Sequence, residues 1–191
     1  MSDHTQSTPS NAVSRRRFLA GSSAAALGIF LGRRPAYAGQ AGRASLVIGS
    51  GEHTYEVFHD WLTPADYLKF GDTQGLAQDA DGNIYVAHTV HPTSTSSDAI
   101  AVFDATGKFV KSWGARFKGG AHGLDIRREG SQEFLYHCDT AHRQVVKTTL
   151  DGEVVWELGK PEASDVYGAE SPFIPTNVAL APNGDCYVTD G

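Results

Sequence analysis

Three segments of the chain repeat one pattern, and this repeat constrains the fold more than any other feature of the sequence. Each segment has a short apolar run, a tight turn and a second run rich in β-branched and aromatic residues. Asp81-Gly82 and Asn183-Gly184 supply the positive backbone φ angles that hairpin turns need. The three segments, 75–88, 123–139 and 177–190, are each predicted to form a β-hairpin.

A second hairpin follows in the first two repeats, over residues 101–114 and 145–159. Its turn glycines, Gly107 and Gly152, are 45 residues apart. Four strands in about 45 residues is the period of a propeller blade. No segment shows a sustained helical period, which argues against α/β architectures. The sequence therefore predicts an all-β chain of four-stranded antiparallel propeller blades, with about three blades present and the ring incomplete.

The repeat resembles the NHL type of six-bladed propeller over residues 73–191. The family's typical strand sequences correspond here to 75–79, 82–88 and 101–104. Residues 39–72 are expected to supply a partial first blade or lead-in strands. The third repeat has only two strands, and an open arc leaves strand edges unpaired. We therefore expect the chain either to be a fragment of a larger propeller or to close its ring by oligomerisation.

The first 38 residues read as an export signal rather than as part of the fold. Ser14-Arg15-Arg16-Arg17-Phe18 is a twin-arginine pattern, and Ala36-Tyr37-Ala38 is a small-residue cleavage site. The apolar run 18–32 is shorter than the roughly 20 residues of a spanning helix. We expect export by the twin-arginine route to the periplasm or the extracellular space, with no stable membrane span after cleavage. An uncleaved tether is the alternative.

Charge and cysteine content exclude several classes of function. Removing residues 1–38 leaves 11 basic and 21 acidic residues, a net charge of −10, which repels phosphate backbones. Nucleic acid is therefore not an expected partner. Cys138 and Cys186 permit one bridge but imply none. The sequence has no Gly-x-Ser-x-Gly, phosphate-cradling loop or Cys-x-x-Cys, so serine hydrolase, nucleotide-dependent and thiol-redox chemistry are not expected.

A closer resemblance involves the segment Ala121-His122-Gly123-Leu124. It is similar to the Pro-His-Gly-Leu of peptidyl-α-hydroxyglycine α-amidating lyases, in which the histidine binds zinc and the leucine carbonyl binds calcium. Segments 175–180 and 187–191 resemble further blocks of that family, in the same order. The resemblance implies His122 and Leu124 as metal ligands, with zinc and calcium as cofactors.

The chain also departs from the family pattern. Thr89 stands where the family has a catalytic arginine, and Arg143, directly after His142, stands where it has a histidine. The family's other zinc histidines fall in later blades. The resemblance thus implies a lyase-like protein whose activity this chain alone does not supply.

Each candidate residue also has a structural interpretation that the sequence leaves open. His122 could be a solvent-facing loop residue without metal. For His88 and His91, the polar loop at 92–97 favours plain exposure, and a place on the rim of a substrate site is the alternative. His142 could cap a turn after Asp139 or lie on that rim. Asp190, and Asp139 at the equivalent strand end, could be turn-forming carboxylates or could bind calcium or substrate. His137 is predicted to be a packed or an edge residue of its strand.

Two functions follow from the sequence. One is a zinc-dependent carbon–nitrogen lyase-like enzyme for a small polar or peptide-derived substrate, with zinc polarising the substrate oxygen. The other is a noncatalytic propeller that binds a protein, peptide or glycan in the cell envelope.

Overall fold

A computed structural model describes residues 46–163 and 165–191, and their regular structure is almost entirely β-strand. The exception is a short 3-10 helix at Ala115–Phe117. The predicted export signal lies outside the described residues. The strands are β1 (Leu46–Ser50), β2 (His53–Val57), β3 (Thr73–Gln78), β4 (Ile84–His88), β5 (Ile100–Phe103), β6 (Phe109–Trp113), β7 (Ala121–Glu129), β8 (Gln132–Asp139), β9 (Gln144–Thr149), β10 (Val154–Leu158), β11 (Pro175–Leu180) and β12 (Cys186–Asp190).

The strands form two four-stranded and two two-stranded antiparallel sheets. Strands β3 to β6 form blade 1 and β7 to β10 form blade 2, each strand paired with the next along the chain. The third sheet contains only β11 and β12, and β1 and β2 form a separate N-terminal hairpin. These sheets confirm the predicted fold class, an all-β chain of four-stranded propeller blades.

The segment at 61–71 packs against the side of blade 1 that faces away from blade 2, instead of adding strands to a blade. Its apolar residues are Leu62, Leu68 and Phe70, and they cover Val86, Ala101 and Phe103 of β4 and β5. Thr63 forms an isolated bridge with Lys108, and its N–H donates to the Gly107 carbonyl at 3.0 Å. The segment therefore closes one side of blade 1.

The middle strands of blade 1 are apolar at successive positions because both of their faces are buried. In β5, Ile100 and Val102 face blade 2, whereas Ala101 and Phe103 face the segment at 61–71. Successive side chains of a strand point to opposite sides of the sheet. Burial of one Val, Ile or Phe side chain contributes about 1.5–3 kcal/mol, so both interfaces stabilise the stack.

The inner strands of successive blades, β3, β7 and β11, lie side by side. Each has a β-bulge near its start, at Thr73/Gly75, Ala121/Leu124 and Pro175/Asn177. Glycines permit the close approach: a Cβ on Gly75 would lie 2.5 Å from the His122 carbonyl oxygen, and one on Gly123 would lie 2.6 Å from the Thr176 carbonyl oxygen. Bulges of this kind re-aim side chains. Gln74, His122 and Thr176 each lie inside the bulge of their strand, so they occupy equivalent positions.

Within residues 46–163 and 165–191, no helix has the length and apolar character needed to cross a bilayer.

Candidate functional site

His122 lies in the bulge of β7, half-buried, and its orientation is fixed by the third sheet. Its Nδ1 is 2.6 Å from the Thr176 carbonyl oxygen. Because a carbonyl oxygen can only accept, Nδ1 carries the proton and donates it. In a neutral ring this leaves the lone pair on Nε2, and an Nδ1–H bonded to a backbone carbonyl is a common arrangement for histidines that bind metal through Nε2. The hydrogen bond thus fixes the tautomer and leaves Nε2 as the acceptor or ligand atom of the ring.

The surroundings of His122 supply few other ligands. Leu124 is buried, pairs with His137 in the ladder and lies against Gly75. The equivalent bulge positions carry Gln74 and Thr176, neither of which is an imidazole. Over residues 46–163 and 165–191, no group of three or more His, Cys, Asp or Glu side chains is placed to hold a metal ion. The described blades therefore contribute a single imidazole at this position.

His142 caps the turn between β8 and β9. Asp139, which is fully buried, accepts the His142 backbone N–H at 3.1 Å and lies 2.8 Å from Nδ1 of the same ring. The imidazole itself is 56% exposed. These contacts place His142 in the turn, and the buried carboxylate orients a ring that remains accessible to solvent; a place on a substrate rim stays a prediction.

Asp190 ends β12 as Asp139 ends β8, and it too stabilises local structure. It accepts the Ile174 backbone N–H at 2.6 Å and the Tyr167 hydroxyl at 2.7 Å. These hydrogen bonds, the one from Ile174 more than the one from Tyr167, lower the pKa of the carboxyl group. The described contacts of Asp190 are thus those of a carboxylate that organises its own loop.

The predicted exposure of His88 is wrong. The residue is completely buried, its ring centroid lies 4.5 Å from that of Phe70, and its Nδ1 accepts the Val90 N–H at 3.1 Å. Burial lowers the pKa of the ring to about 4. Strand β4 continues through His88, and this places the ring beneath the segment at 61–71. The polar loop after the strand gave no indication that the ring would be covered. His91, in contrast, is exposed as predicted and contacts Thr93.

His137 packs inside the stack, which is one of the two positions that the sequence left open. It faces blade 1, stacked on Phe117 with ring centroids 4.6 Å apart and in edge contact with Trp113. Its Nε2 is 2.9 Å from the Thr148 hydroxyl. Burial is the main cause that lowers its pKa, to about 3, so the ring is neutral.

A polar cluster between blade 2 and the third sheet was not predicted. Lys147, buried at 7% exposure, lies 2.7 Å from Glu129 and 4.2 Å from the centroid of the Phe134 ring. Glu129 also accepts the Tyr136 hydroxyl. An open cavity of about 310 Å³ adjoins the cluster, and Trp156 and Cys186 are among its other lining residues. The only sequence signal was a lysine directly after two valines in a buried strand.

The chain is similar to known proteins in sequence and in structure. No family model matches the chain. Over 161 residues it is 28% identical to peptidyl-alpha-hydroxyglycine alpha-amidating lyase 1 of Drosophila melanogaster, a match that covers 73% of this chain and 28% of the length of that protein.

Solved structures with related architecture include a catalytically inactive virginiamycin B lyase from Staphylococcus aureus with quinupristin. It has a TM-score of 0.45 and 16% identity over 66% of this chain and 36% of that one. A protein of unknown function from Bacteroides caccae has a TM-score of 0.44 and 16% identity over 72% of this chain and 46% of that one. The chain is an all-β protein built from propeller blades and is similar in sequence to a peptidyl-α-hydroxyglycine α-amidating lyase.

Proposed function

We propose that this chain carries one zinc-ligand position of an exported, metal-dependent lyase-like propeller. The observation that carries the proposal is the hydrogen bond from His122 Nδ1 to the Thr176 carbonyl, at 2.6 Å. It leaves Nε2 free to bind zinc and ties the ligand strand β7 to the neighbouring inner strand β11. Similarity to an amidating lyase supports the same chemistry, over 28% of the length of that relative.

The substrate class follows from that similarity and from the position of His122. A peptide-derived α-hydroxyglycine, or a small polar analogue of it, would lie where the inner strands converge. Zinc, when bound, would supply a Lewis acid for the substrate oxygen. The residues of this chain orient the ligand: Thr176 holds the His122 ring, and Gly123 allows β7 and β11 to approach. The Leu124 carbonyl is the proposed calcium ligand.

The described residues do not complete such a site. Catalytic zinc sites have three protein ligands and an open position, and only one imidazole is placed here. Thr89 replaces the expected arginine, and Arg143 replaces an expected histidine. We therefore propose that the chain alone has no lyase activity and that further blades or a partner must add the missing groups.

The decisive test is the metal content of the exported protein, measured by plasma mass spectrometry. We expect stoichiometric zinc when the blades or partner that supply the other ligands are present, and its loss from His122→Ala in the same assembly. His142→Ala is the matched control, because this imidazole is also accessible but is held by Asp139 instead of facing the inner strands. An assembly that is metal-free although those blades or that partner are present, or a His122→Ala assembly that keeps its zinc, would refute the proposed site.

Export is tested separately. Replacing Arg15 and Arg16 with lysines should retain the protein in the cytoplasm, because the twin-arginine route reads this pair. Arg33→Lys with Arg34→Lys is the matched control, since these arginines lie beyond the motif. Cell fractionation and immunoblotting measure export. Unchanged export of the Arg15/Arg16 variant would argue against this route.

The second candidate function is a noncatalytic module that binds a protein, peptide or glycan in the envelope. It is favoured by Gln74 and Thr176 at the positions equivalent to His122, because neither can replace an imidazole as a zinc ligand. Calorimetric titration distinguishes the two functions. Zinc-dependent binding of a peptidyl-α-hydroxyglycine supports the lyase-like protein, whereas binding of an unmodified peptide or glycan that is insensitive to chelator supports the module.

A further inference from the structure

The His122 ring is held by a backbone carbonyl, so its orientation depends on whatever fixes that carbonyl. Its Nδ1–H donates to the Thr176 carbonyl at 2.6 Å, from inner strand β7 to inner strand β11. A peptide plane can rotate about the φ and ψ angles on either side of it. If this carbonyl rotated away, the Nδ1 proton would lose its acceptor. The orientation of the peptide plane between Thr176 and Asn177 therefore decides how the ring is held.

The bulge in β11 makes the Thr176 carbonyl available to β7. In the register with β12, Asn177 stands opposite Thr189, but Thr176 has no partner residue. The extra residue of a bulge is left unpaired in the ladder. The Thr176 carbonyl can thus accept from His122, but the ladder alone does not fix its direction.

Two threonine hydroxyl groups hold the bulge. The Thr189 hydroxyl donates to the Asn177 carbonyl at 3.3 Å and accepts from the Thr176 hydroxyl at 3.0 Å. One hydroxyl group can form both bonds, because it has one proton and two lone pairs. The bonds reach the side chain before the peptide plane and the carbonyl after it. Together they restrict the rotation of that plane, and with it the direction of the carbonyl that holds His122.

The bulges of the other two inner strands lack this hydroxyl bridge. The position of Thr189, one residue before the end of its strand, is taken by Ala87 in β4 and by Cys138 in β8. Alanine has no hydrogen-bonding side chain, and Cys138 is completely buried in the apolar cluster toward the third sheet. Among the residues that the structure describes, the bridge is therefore found at the one bulge whose carbonyl holds an imidazole.

We propose that Thr189 is a positioning residue for His122. Its hydroxyl group sets the direction of the Thr176 carbonyl, and this carbonyl keeps the imidazole proton on Nδ1. In a neutral imidazole either nitrogen can carry the proton, and the hydrogen-bond partner selects which one does. The consequence for zinc at Nε2 rests on the proposed function, whereas the tautomer of the ring does not.

Nitrogen-15 NMR of the labelled full chain tests the tautomer without metal, because the chemical shifts of the two ring nitrogens show which one is protonated. The His122→Ala variant identifies the signal by its absence. We expect the Nδ1–H form in the unmodified protein and its loss from Thr189→Val, in which Nε2 carries the proton. Thr189 is exposed, so this substitution should leave the fold intact. Thr189→Ser keeps the hydroxyl and should keep the Nδ1–H form.

Two further substitutions separate the bridge from a general effect of losing a hydroxyl. Thr140→Val is the matched control: its hydroxyl donates to the Gly120 carbonyl at 3.3 Å, just before β7, but is not part of the bulge in β11. The tautomer should be unchanged in this variant. Thr176→Val removes the other half of the bridge and should act as Thr189→Val does. The double variant should show no larger effect, because both substitutions break the same bond.

Zinc affinity supplies the second measurement, in the assembly that contains the other ligands. Loss of a group that orients a metal ligand typically costs about 10–100-fold in affinity. We expect Thr189→Val to weaken zinc binding at least about tenfold and Thr140→Val to leave it unchanged.

The outcomes distinguish this proposal from the metal site itself. An Nε2–H ring in the unmodified protein, an unchanged tautomer in Thr189→Val, loss of the Nδ1–H form in Thr189→Ser or an equal loss in Thr140→Val would each overturn it. Equal zinc affinity of the unmodified and Thr189→Val assemblies would also do so. An assembly without zinc would refute the proposed metal site, and the tautomer of His122 would still decide whether Thr189 positions the ring.

Discussion

The two faces of blade 2 are built from the same strands but have different interiors. One face meets the complete blade 1, and the other meets the two-stranded third sheet. In β8 and β9, Leu135, His137, Val146 and Thr148 face blade 1, whereas Phe134, Tyr136, Cys138, Val145 and Lys147 face the third sheet. Strand alternation assigns these residues to their faces, so the comparison isolates the effect of the neighbouring sheet.

The face toward blade 1 is closed. Leu135 and Val146 have no exposed surface, and the one titratable group among them, His137, is held neutral between aromatic rings. The Thr148 hydroxyl satisfies the Nε2 of that ring. A polar group is tolerated here because it is uncharged and hydrogen-bonded.

The face toward the third sheet admits charge and an open cavity. Lys147 is paired with Glu129, whose side chain is 37% exposed, and the cavity of about 310 Å³ lies beside them. Water at this cavity lowers the cost of an ion pair that a closed interface would not tolerate. Toward blade 1 the named side chains of blade 2 are thus uncharged, whereas toward the two-stranded sheet the face admits an ion pair.

The largest expected difference between the faces is in their dependence on pH. The folded-state pKa of His137, about 3, lies below the ordinary 6.5, so the unfolded chain binds a proton that the folded protein does not. Stability is complete above about pH 6.5 and falls as the pH drops toward 3, by up to about 1.4 kcal/mol per pH unit. His88, with a pKa of about 4, adds a second such contribution over a narrower range.

Urea unfolding between about pH 6.5 and 5 measures this dependence before most carboxylates titrate. His137→Gln should reduce the slope by about one proton, and the exposed His91→Gln should leave it unchanged. An identical slope in His137→Gln would mean that this ring is protonated in the folded protein.

Adjacent valines of β9 compare the packing of the two faces directly. Val146→Ala, toward blade 1, should destabilise the protein by about 2 kcal/mol, because the closed interface retains the cavity. Val145→Ala, toward the third sheet, should cost about 1 kcal/mol, because the two-stranded sheet can move into the space. Chemical denaturation of both variants tests this, and equal losses would show that the third sheet is held as rigidly as blade 1.

Lys147 tests the polar face. Lys147→Ala should cost about 1–2 kcal/mol, because it removes both the stem that packs on Phe134 and the partner of Glu129. Lys147→Met retains the packing and should cost less than half as much. Thermal unfolding of the pair separates the two contributions; a Met variant as unstable as the Ala variant would assign the whole effect to charge.

The smallest expected effect concerns the hydrogen bond inside the closed face. Thr148→Val leaves His137 Nε2 without its partner and should cost about 1 kcal/mol. The Thr149 hydroxyl accepts the Glu153 N–H at a partly exposed turn, so Thr149→Val should cost less. Double-mutant analysis of Thr148→Val with His137→Gln gives the coupling, and strict additivity would mean that the bond contributes nothing.

The residues with regular spacing could be read from the sequence with good accuracy. The predicted hairpins at 75–88 and 177–190 correspond to β3–β4 and β11–β12, because alternation and the turn glycines act over a few residues. His137 was correctly placed inside a strand for the same reason. His122 could be singled out as a candidate, but its hydrogen bond to Thr176 joins residues 54 positions apart and has no local signal.

The sequence by itself determined the strand period, the four-stranded blade and the turn positions, since these depend on near neighbours in the chain. Only the tertiary structure decided that His88 is buried and that Lys147 lies beside an open cavity. Those outcomes depend on which distant segment covers each face: the segment at 61–71 over His88, and a two-stranded sheet beside Lys147. The physical reason is that alternation assigns a side chain to a face, whereas the packing of that face fixes its solvation, pKa and partners.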